Sequence, residues 1–239
     1  MLGQFHELSV STTDIRASVE FYERLGFTQC RTGDTWPHPY GVMTDGRVFV
    51  GLHQYRFPSP SVTCVRADIA RHSPEYTARG ITLAFAKTGD DCFNEIGFRD
   101  PAGQMITILE ARTYFPTDRM PQQVSQCGYF SEFSIPCTDF DGVAAFWEGL
   151  GYVALDVEES PYLHRPLAGN GLSLALHRPR TLDQPMLVFS DADMATRIAS
   201  IAALDIPRSA ELPPGLDPAR NALYFAPEGT PLLLVTRDD

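Results

Sequence analysis

Basic residues are scarce in this chain: nineteen Lys+Arg stand against thirty Asp+Glu, a formal net charge of -11 with six His neutral. Without a cationic excess to neutralise phosphates, non-specific binding to DNA or RNA is excluded. The deficit is uneven, because residues 1–115 hold 13 acids and 11 bases, a net of -2, which leaves -9 for the rest. Long apolar runs are missing too, and no window approaches the ~20 residues that a membrane span needs. The opening MLGQFHELSV has no basic stretch leading into an apolar run, so no signal peptide is expected. Cysteine is sparse: Cys30, Cys64, Cys92, Cys127 and Cys137 are odd in number, widely spaced and free of any C-x-x-C. That usage predicts reduced thiols in a cytoplasmic protein, not a disulfide framework or a zinc site. G-x-S-x-G, phosphate-loop and dinucleotide fingerprints are also absent.

What is present is a globular composition, 44% hydrophobic and 21% charged, over 239 residues, a length that suits one large domain or two small ones. An internal repeat decides between them. FHELSVSTTDIRASVEFYERLGF (5–27) lies over FSEFSIPCTDFDGVAAFWEGLGY (130–152) at a constant offset of 125, pairing Phe5/Phe130, Glu7/Glu132, Ser9/Ser134, Asp14/Asp139, Phe21/Phe146 and Gly26/Gly151. The register continues through VTCVRADIA (62–70) over LVFSDADMA (187–195), and His53 lies over His177 at an offset of 124. FRDPAG (98–103) matches FAPEG (225–229). Two domains follow, 1–115 and 126–239, joined by a proline-bearing polar linker at 116–125.

Each half divides again into a strand, a helix and two or three short strands. In the first half Thr13 or Asp14 can cap a helix whose apolar face is Ile15, Val19, Tyr22 and Leu25, ended by Gly26. A second helix is expected near 68–79, with Pro74 in its first turn after Ser73. Strands are expected at 39–43, 47–55, 62–65, 81–86, 94–99 and 104–110. The fold class is therefore α+β, with four βαβββ units in two domains.

The openings ELSVSTTDIRASVEFYERLGF and EFSIPCTDFDGVAAFWEGLGY, with the late FRDPAGQMITILE and FAPEGTPLLLV, resemble the vicinal oxygen chelate superfamily. That superfamily includes glyoxalase I, bleomycin resistance proteins and extradiol dioxygenases. The resemblance covers nearly the whole chain, and it implies two glyoxalase-like domains with curved mixed sheets, helices outside and a ligand cleft inside each. It specifies fold far better than reaction.

With that fold, strand alternation assigns the cleft side. Phe5, Glu7 and Ser9 are expected inward while Leu8 and Val10 pack; Phe49, Gly51 and His53 inward while Val48, Val50 and Leu52 pack. Met105, Thr107 and Leu109 face inward while Ile106 and Ile108 pack. In the second half Glu132, Ser134, Ala175, His177, Leu233 and Val235 take the inward positions. Metal-dependent relatives draw their ligands from four strand positions, which the resemblance carries onto Glu7, Gly51, Ser61 and Thr107, and onto Glu132, Ala175, Met186 and Leu233. A divalent ion needs several convergent oxygen or nitrogen donors, and neither set supplies them. No metal or other cofactor is therefore expected, a divalent metal being the alternative. A rearranged trio of His6, His53 and Glu110 requires two strands out of phase, which a bulge can produce.

Glu7 and His53 are the candidate catalytic pair, an acid and an imidazole on neighbouring strands; the plainer reading is a satisfied polar pair that fixes the sheet. Ser9, Trp36, Phe49, Ser61, Met105, Thr107, Leu109, Glu132 and His177 are the candidate ligand-binding residues, with Tyr40 as a further aromatic wall. His38 and His164 lie in roughly corresponding loops, where histidines are usually unremarkable. The first half, mixing polar and apolar inward positions, is the expected principal site. The leading function is a small-molecule cleft for a largely apolar or aromatic ligand, a cationic one included, in sequestration or metal-free catalysis, so enzyme status stays open. The alternatives are a metal-dependent lyase, isomerase or ring-cleaving dioxygenase, and a non-catalytic association scaffold. The expected partner is a small molecule, with no nucleic acid and no membrane, and a homodimer is left open.

Overall fold

The computed structural model describes residues 2–32, 36–111, 125–169 and 171–237. The expected linker, 116–125, lies outside them apart from Ser125. Four successive units build the chain. The first is β1 (Gln4–Ser11), α1 (Ile15–Arg24), β2 (Thr28–Gln29), β3 (Tyr40–Thr44) and β4 (Phe49–His53). The second is β5 (Ser61–Arg66), α2 (Ile69–Ala78), β6 (Leu83–Lys87), β7 (Glu95–Arg99) and β8 (Met105–Glu110). The third repeats the first as β9 (Tyr129–Pro136), α3 (Phe140–Gly149), β10 (Val153–Ala154), β11 (His164–Ala168) and β12 (Leu174–His177). The fourth has β13 (Met186–Asp191), α4 (Met194–Ala202), β14 (Ala222–Phe225) and β15 (Pro231–Thr236). Where its further strand would run, only the isolated bridge Arg208–Tyr224 forms. Pro207, Pro213, Pro214 and Pro218 crowd that segment, and proline cannot donate to a ladder.

Two mixed sheets result, ordered β2-β3-β4-β1-β5-β8-β7-β6 and β10-β11-β12-β9-β13-β15-β14. They share one register: Ser9 faces Gly51 and Ser61, as Ser134 faces Ala175 and Met186. They also share a bulge. Phe5 pairs with Cys64 and Glu7 with Thr63, which leaves His6 as the extra residue of β1, and Ser131 holds the same place in β9. The bulge corrects the alternation at one point: Phe5 joins the apolar core instead of facing the cleft.

The helices form where capping and apolar spacing agree. Asp14 and Asp139 accept from Ala17 N and Gly142 N at 3.1 and 3.0 Å. Helix α2 is different, since Asp68 (φ 55°) makes no side-chain cap and Glu110 Oε2 instead accepts from Ile69 N at 3.1 Å. Pro74 sits inside α2, not in its first turn. Its ring has no N–H for the Ala70 carbonyl, and Ser73 Oγ donates to that oxygen at 3.3 Å.

The core is continuous across both halves and contains Leu8, Val10, Tyr22, Val50, Ile106, Phe133, Trp147, Leu174, Leu232 and Leu234. Two polar links cross it in reciprocal fashion. Tyr22 on α1 donates to Glu228 Oε1 at 2.9 Å, with Ser18 Oγ on Oε2 at 2.7 Å. Trp147, the residue of α3 that matches Tyr22, donates through Nε1 to Asp100 Oδ2 at 3.0 Å. Each acid sits in the turn before the last strand of the opposite half. Burial raises the Asp100 pKa, and its backbone donors and Trp147 act against that rise. Trp147→Phe removes the donor, and its single ring also leaves part of the buried indole's volume unfilled. It should lower the unfolding free energy by about 1–3 kcal/mol in urea titrations followed by circular dichroism. Unchanged stability would mean that this link contributes nothing.

Candidate functional site

The bulge at His6 aims Glu7 across the concave face of the first sheet, and a glycine makes room for it. A Cβ on Gly51 would lie 2.1 Å from Glu7 Cδ, so the carboxylate lies where a side chain at 51 would be. Glu7 Oε1 accepts from Ser9 Oγ at 2.7 Å and from His53 Nε2 at 2.9 Å, while Oε2 accepts from Tyr40 OH at 2.5 Å. His6 Nε2 stands 3.7 Å from Oε2. Burial alone would raise the Glu7 pKa. The His53 hydrogen bond, the charges of His6 and His53, and the Tyr40 hydroxyl together hold it below the ordinary carboxylate range. A polar stripe continues across the sheet, with Ser9 Oγ to Thr63 Oγ1 at 2.7 Å and Ser61 Oγ to Thr107 Oγ1 at 2.8 Å.

Aromatic side chains cluster around His53 at one end of this stripe. Trp36 stacks on His38 at 5.6 Å and meets His53 edge-on at 5.5 Å. Its opposite side reaches Phe93, at 5.8 Å, from the segment joining β6 to β7. Phe57 adds a second edge to His53 at 5.5 Å. Val42, Phe49, Val65, Met105 and Leu109 are buried but lie apart from the main core. Met105 also lines a cavity of about 290 Å³ between the halves, beside Arg99, Gln104, Pro136 and Asp183. The structure thus gathers Glu7, Ser9, His53, Ser61 and Thr107 on one face with Trp36 against His53, and Phe49, Met105 and Leu109 bound the same side.

The second half has the same frame with different contents. Ala175 replaces Gly51, and its Cβ occupies the place over which Glu7 lies. Glu132 bonds Tyr162 OH at 2.8 Å instead, and His177 takes Ser134 Oγ–H on Nδ1 at 2.8 Å. His177 Nε2 donates to Leu182 O at 2.9 Å, so both ring nitrogens are used. Burial raises the Glu132 pKa, opposite to Glu7, and pushes that of His177 down to about 4. The concave face is filled by Tyr162, Met186, Val188, Leu223, Leu233 and Val235, with Leu182, Leu212 and Leu216 packed on them. Glu132 and His177 are therefore not brought together with the first group.

Two sequence readings need correction. His164 pairs with His177 as Tyr40 pairs with His53, so the counterpart of His164 is Tyr40, not His38. Glu110 accepts from Ile69 N and from Asn94 Nδ2 at 2.9 Å, which takes it out of any trio with His6 and His53. His38 itself, read from the sequence as an ordinary loop histidine, stands against the Glu7 cluster. Its Nε2 lies 3.0 Å from His53 Nδ1. The signal was the spacing His38-x-Tyr40, which puts both on one face of a strand-like segment.

The four strand positions that hold metals in the resembling superfamily do not fit an ion here. Glu7 is committed to three donors, Gly51 has no side chain, and Ser61 and Thr107 bond each other. In the second half three of the four are Ala175, Met186 and Leu233. Among the described residues no group of three His, Cys, Asp or Glu is placed to hold a metal ion.

Comparison with solved structures gives the fold its class. The chain aligns over 99% of its length with homoprotocatechuate 2,3-dioxygenase of Brevibacterium fuscum (TM-score 0.63, 14% identity, 72% of that chain, E323L mutant). The enzyme of the same name from Arthrobacter globiformis gives 0.63 at 15% identity over 99% of this chain and 80% of that one. A catechol 2,3-dioxygenase gives 0.61 at 14% identity over 100% and 89%. The chain has the vicinal oxygen chelate fold, in the two-domain arrangement of the extradiol dioxygenases. At these identities the likeness is one of fold. No family model and no curated protein matches the chain.

Two measurements check this geometry. Gly51→Ala should displace Glu7 from His53 and destabilise the protein by about 1–3 kcal/mol, as overpacking does; an unperturbed variant would mean that the carboxylate does not rest on Gly51. His177 is neutral when folded, with its pKa lowered to about 4 from an unfolded value near 6.5. A lowered base stabilises fully above the unfolded value and loses that contribution as pH falls toward the folded one. Unfolding free energy should therefore drop between about pH 6.5 and 4, and His177→Gln should flatten that part of the profile.

Proposed function

We propose that the chain binds a small aromatic molecule on the concave face of the first sheet, through side chains and without a resident ion. One observation carries this reading: an aromatic cluster around His53 beside a buried polar stripe in the first half, where the duplicate half is packed shut by its own side chains. Apolar contact from Trp36, Phe57 and Phe93 would supply affinity, and the sparse hydroxyls of Ser61, Thr63 and Thr107 would fix orientation. A positively charged ligand would be met by ring faces, since both Glu7 oxygens already accept hydrogen bonds. No helix among the described residues is long and apolar enough to cross a membrane. All five cysteines are thiols, not half-cystines, which supports a reducing, cytoplasmic setting.

The fold favours a second reading, ring cleavage of a catechol-type substrate, because the solved structures it resembles include 2,3-dioxygenases. That reading needs a rearranged metal site, and the donor chemistry described above speaks against it. Native mass spectrometry with metal analysis on one purified sample separates the two. The proposal expects a co-purifying aromatic molecule without stoichiometric iron, manganese, nickel or zinc. Trp36→Ala and His53→Ala should weaken its binding by about 1–3 kcal/mol, and Glu132→Gln should leave it unchanged. One metal ion per chain, or equal losses from both halves, would overturn it.

A further inference from the structure

We propose that the cavity between the two halves is a second binding site, and that its ligand is an amino acid with an apolar side chain, held by its two opposite charges. The cavity, of about 290 Å³, is walled by both halves. The first half gives the connection from β4 to β5 and the turn between β7 and β8, and the second gives the end of β9 and the connection from β12 to β13. Its volume lies at the small end for ligand pockets, which suits a molecule of this size.

The charged groups of the cavity are not used up by the fold. Arg99 Nη1 donates to Gly103 O at 2.5 Å, which ties the guanidinium back onto its own turn. Nε and Nη2 form the edge that grips a carboxylate through two parallel hydrogen bonds, and neither has a partner among the described residues. The acid beside Arg99 does not serve it, because Asp100 accepts from Gln104 N at 2.8 Å and from Trp147 Nε1 at 3.0 Å. Asp183, contributed by the other half, makes no hydrogen bond or ion pair among the described residues, Arg99 included.

Gln104 adds a neutral acceptor. The residue is buried, and its amide nitrogen donates to Pro60 O at 2.7 Å and to Met105 O at 3.0 Å. Its Oε1 is left without a partner among the described residues. The polar lining thus offers one two-pronged donor and two acceptors, one of them anionic. A carboxylate answers the first and an ammonium answers the others, and an amino acid carries both on a single carbon. Met105, Ile135, Pro58, Pro60, Pro136 and Pro185 complete the wall and call for an apolar side chain. Proline walls are stiff, so little order is lost when a ligand enters.

The repeat does not account for these charges. Phe225 pairs with Pro231 as Arg99 pairs with Met105, and Thr230 precedes β15 as Gln104 precedes β8. Pro58 stands three residues before β5, as Asp183 does before β13. Each charged position therefore has an uncharged counterpart, and the pair of charges belongs to this seam alone.

The test is calorimetric titration of the full chain with L-valine, L-leucine and L-methionine. At least one should bind. The tightest of them, tried again as its deaminated acid and as its decarboxylated amine, should bind about tenfold more weakly in either form. Arg99→Gln and Asp183→Asn replace exposed side chains, so both variants should keep the fold. Each should weaken the amino acid by about tenfold. Asp183→Asn should leave the deaminated acid unaffected, whereas Arg99→Gln should weaken it too. Failure of all three amino acids to bind the wild type would overturn the proposal. So would a deaminated acid that binds as tightly as its parent, or binding that neither substitution changes.

Discussion

A carboxylate at 1% exposure must be fully partnered, and meeting that requirement for Glu7 organises the first half of this molecule. The bulge at His6 turns the side chain onto the concave face, and the missing side chain of Gly51 gives it a bed. Ser9, Tyr40 and His53, from three adjacent strands, converge on its two oxygens. Those strands are thereby tied together on the side away from the core, where apolar packing cannot do it. Through its other ring nitrogen His53 meets His38 Nε2 at 3.0 Å, which carries the polar contact outward from the sheet.

The duplicate shows how little must change for the same frame to serve another end. One methyl group, that of Ala175, denies Glu132 the position that Glu7 holds. The acid then turns to Tyr162, the histidine turns to Ser134, and leucines from the connecting segments settle on the sheet. Burial with a single hydroxyl donor raises one carboxyl, and burial with three donors lowers its twin. Both outcomes come from the same strand register.

Much of this was legible in the residues. The 125-residue offset gave the repeat, and alternation assigned Leu8, Val50, Ile106, Leu232 and Leu234 to the core and Glu7, His53 and Thr107 to the cleft. What alternation could not read was the place where the period breaks. His6 is an extra residue in its strand, and nothing in FHELSV marks it as one, so Phe5 was assigned to the wrong face. Pro74 looked like a helix start because its missing N–H suits a first turn; the rescue by Ser73 is a tertiary detail of one hydroxyl. His38 was hidden for a different reason. Its contact with His53 joins it to Glu7, an acid 31 positions earlier in the chain, and no local pattern shows such a link.

The reciprocal links of Tyr22 to Glu228 and Trp147 to Asp100 have an evolutionary meaning. In each, a helix of one half donates to a turn of the other, the pattern expected of two like subunits docked about a twofold axis. The present chain is then a fused dimer. Tethering removes the need for both copies to stay identical, since assembly no longer selects for a self-complementary surface. One concave face could fill with its own side chains while its sibling kept a polar stripe. The asymmetry between the two clefts is thus a freedom that fusion grants and that separate, identical subunits cannot have.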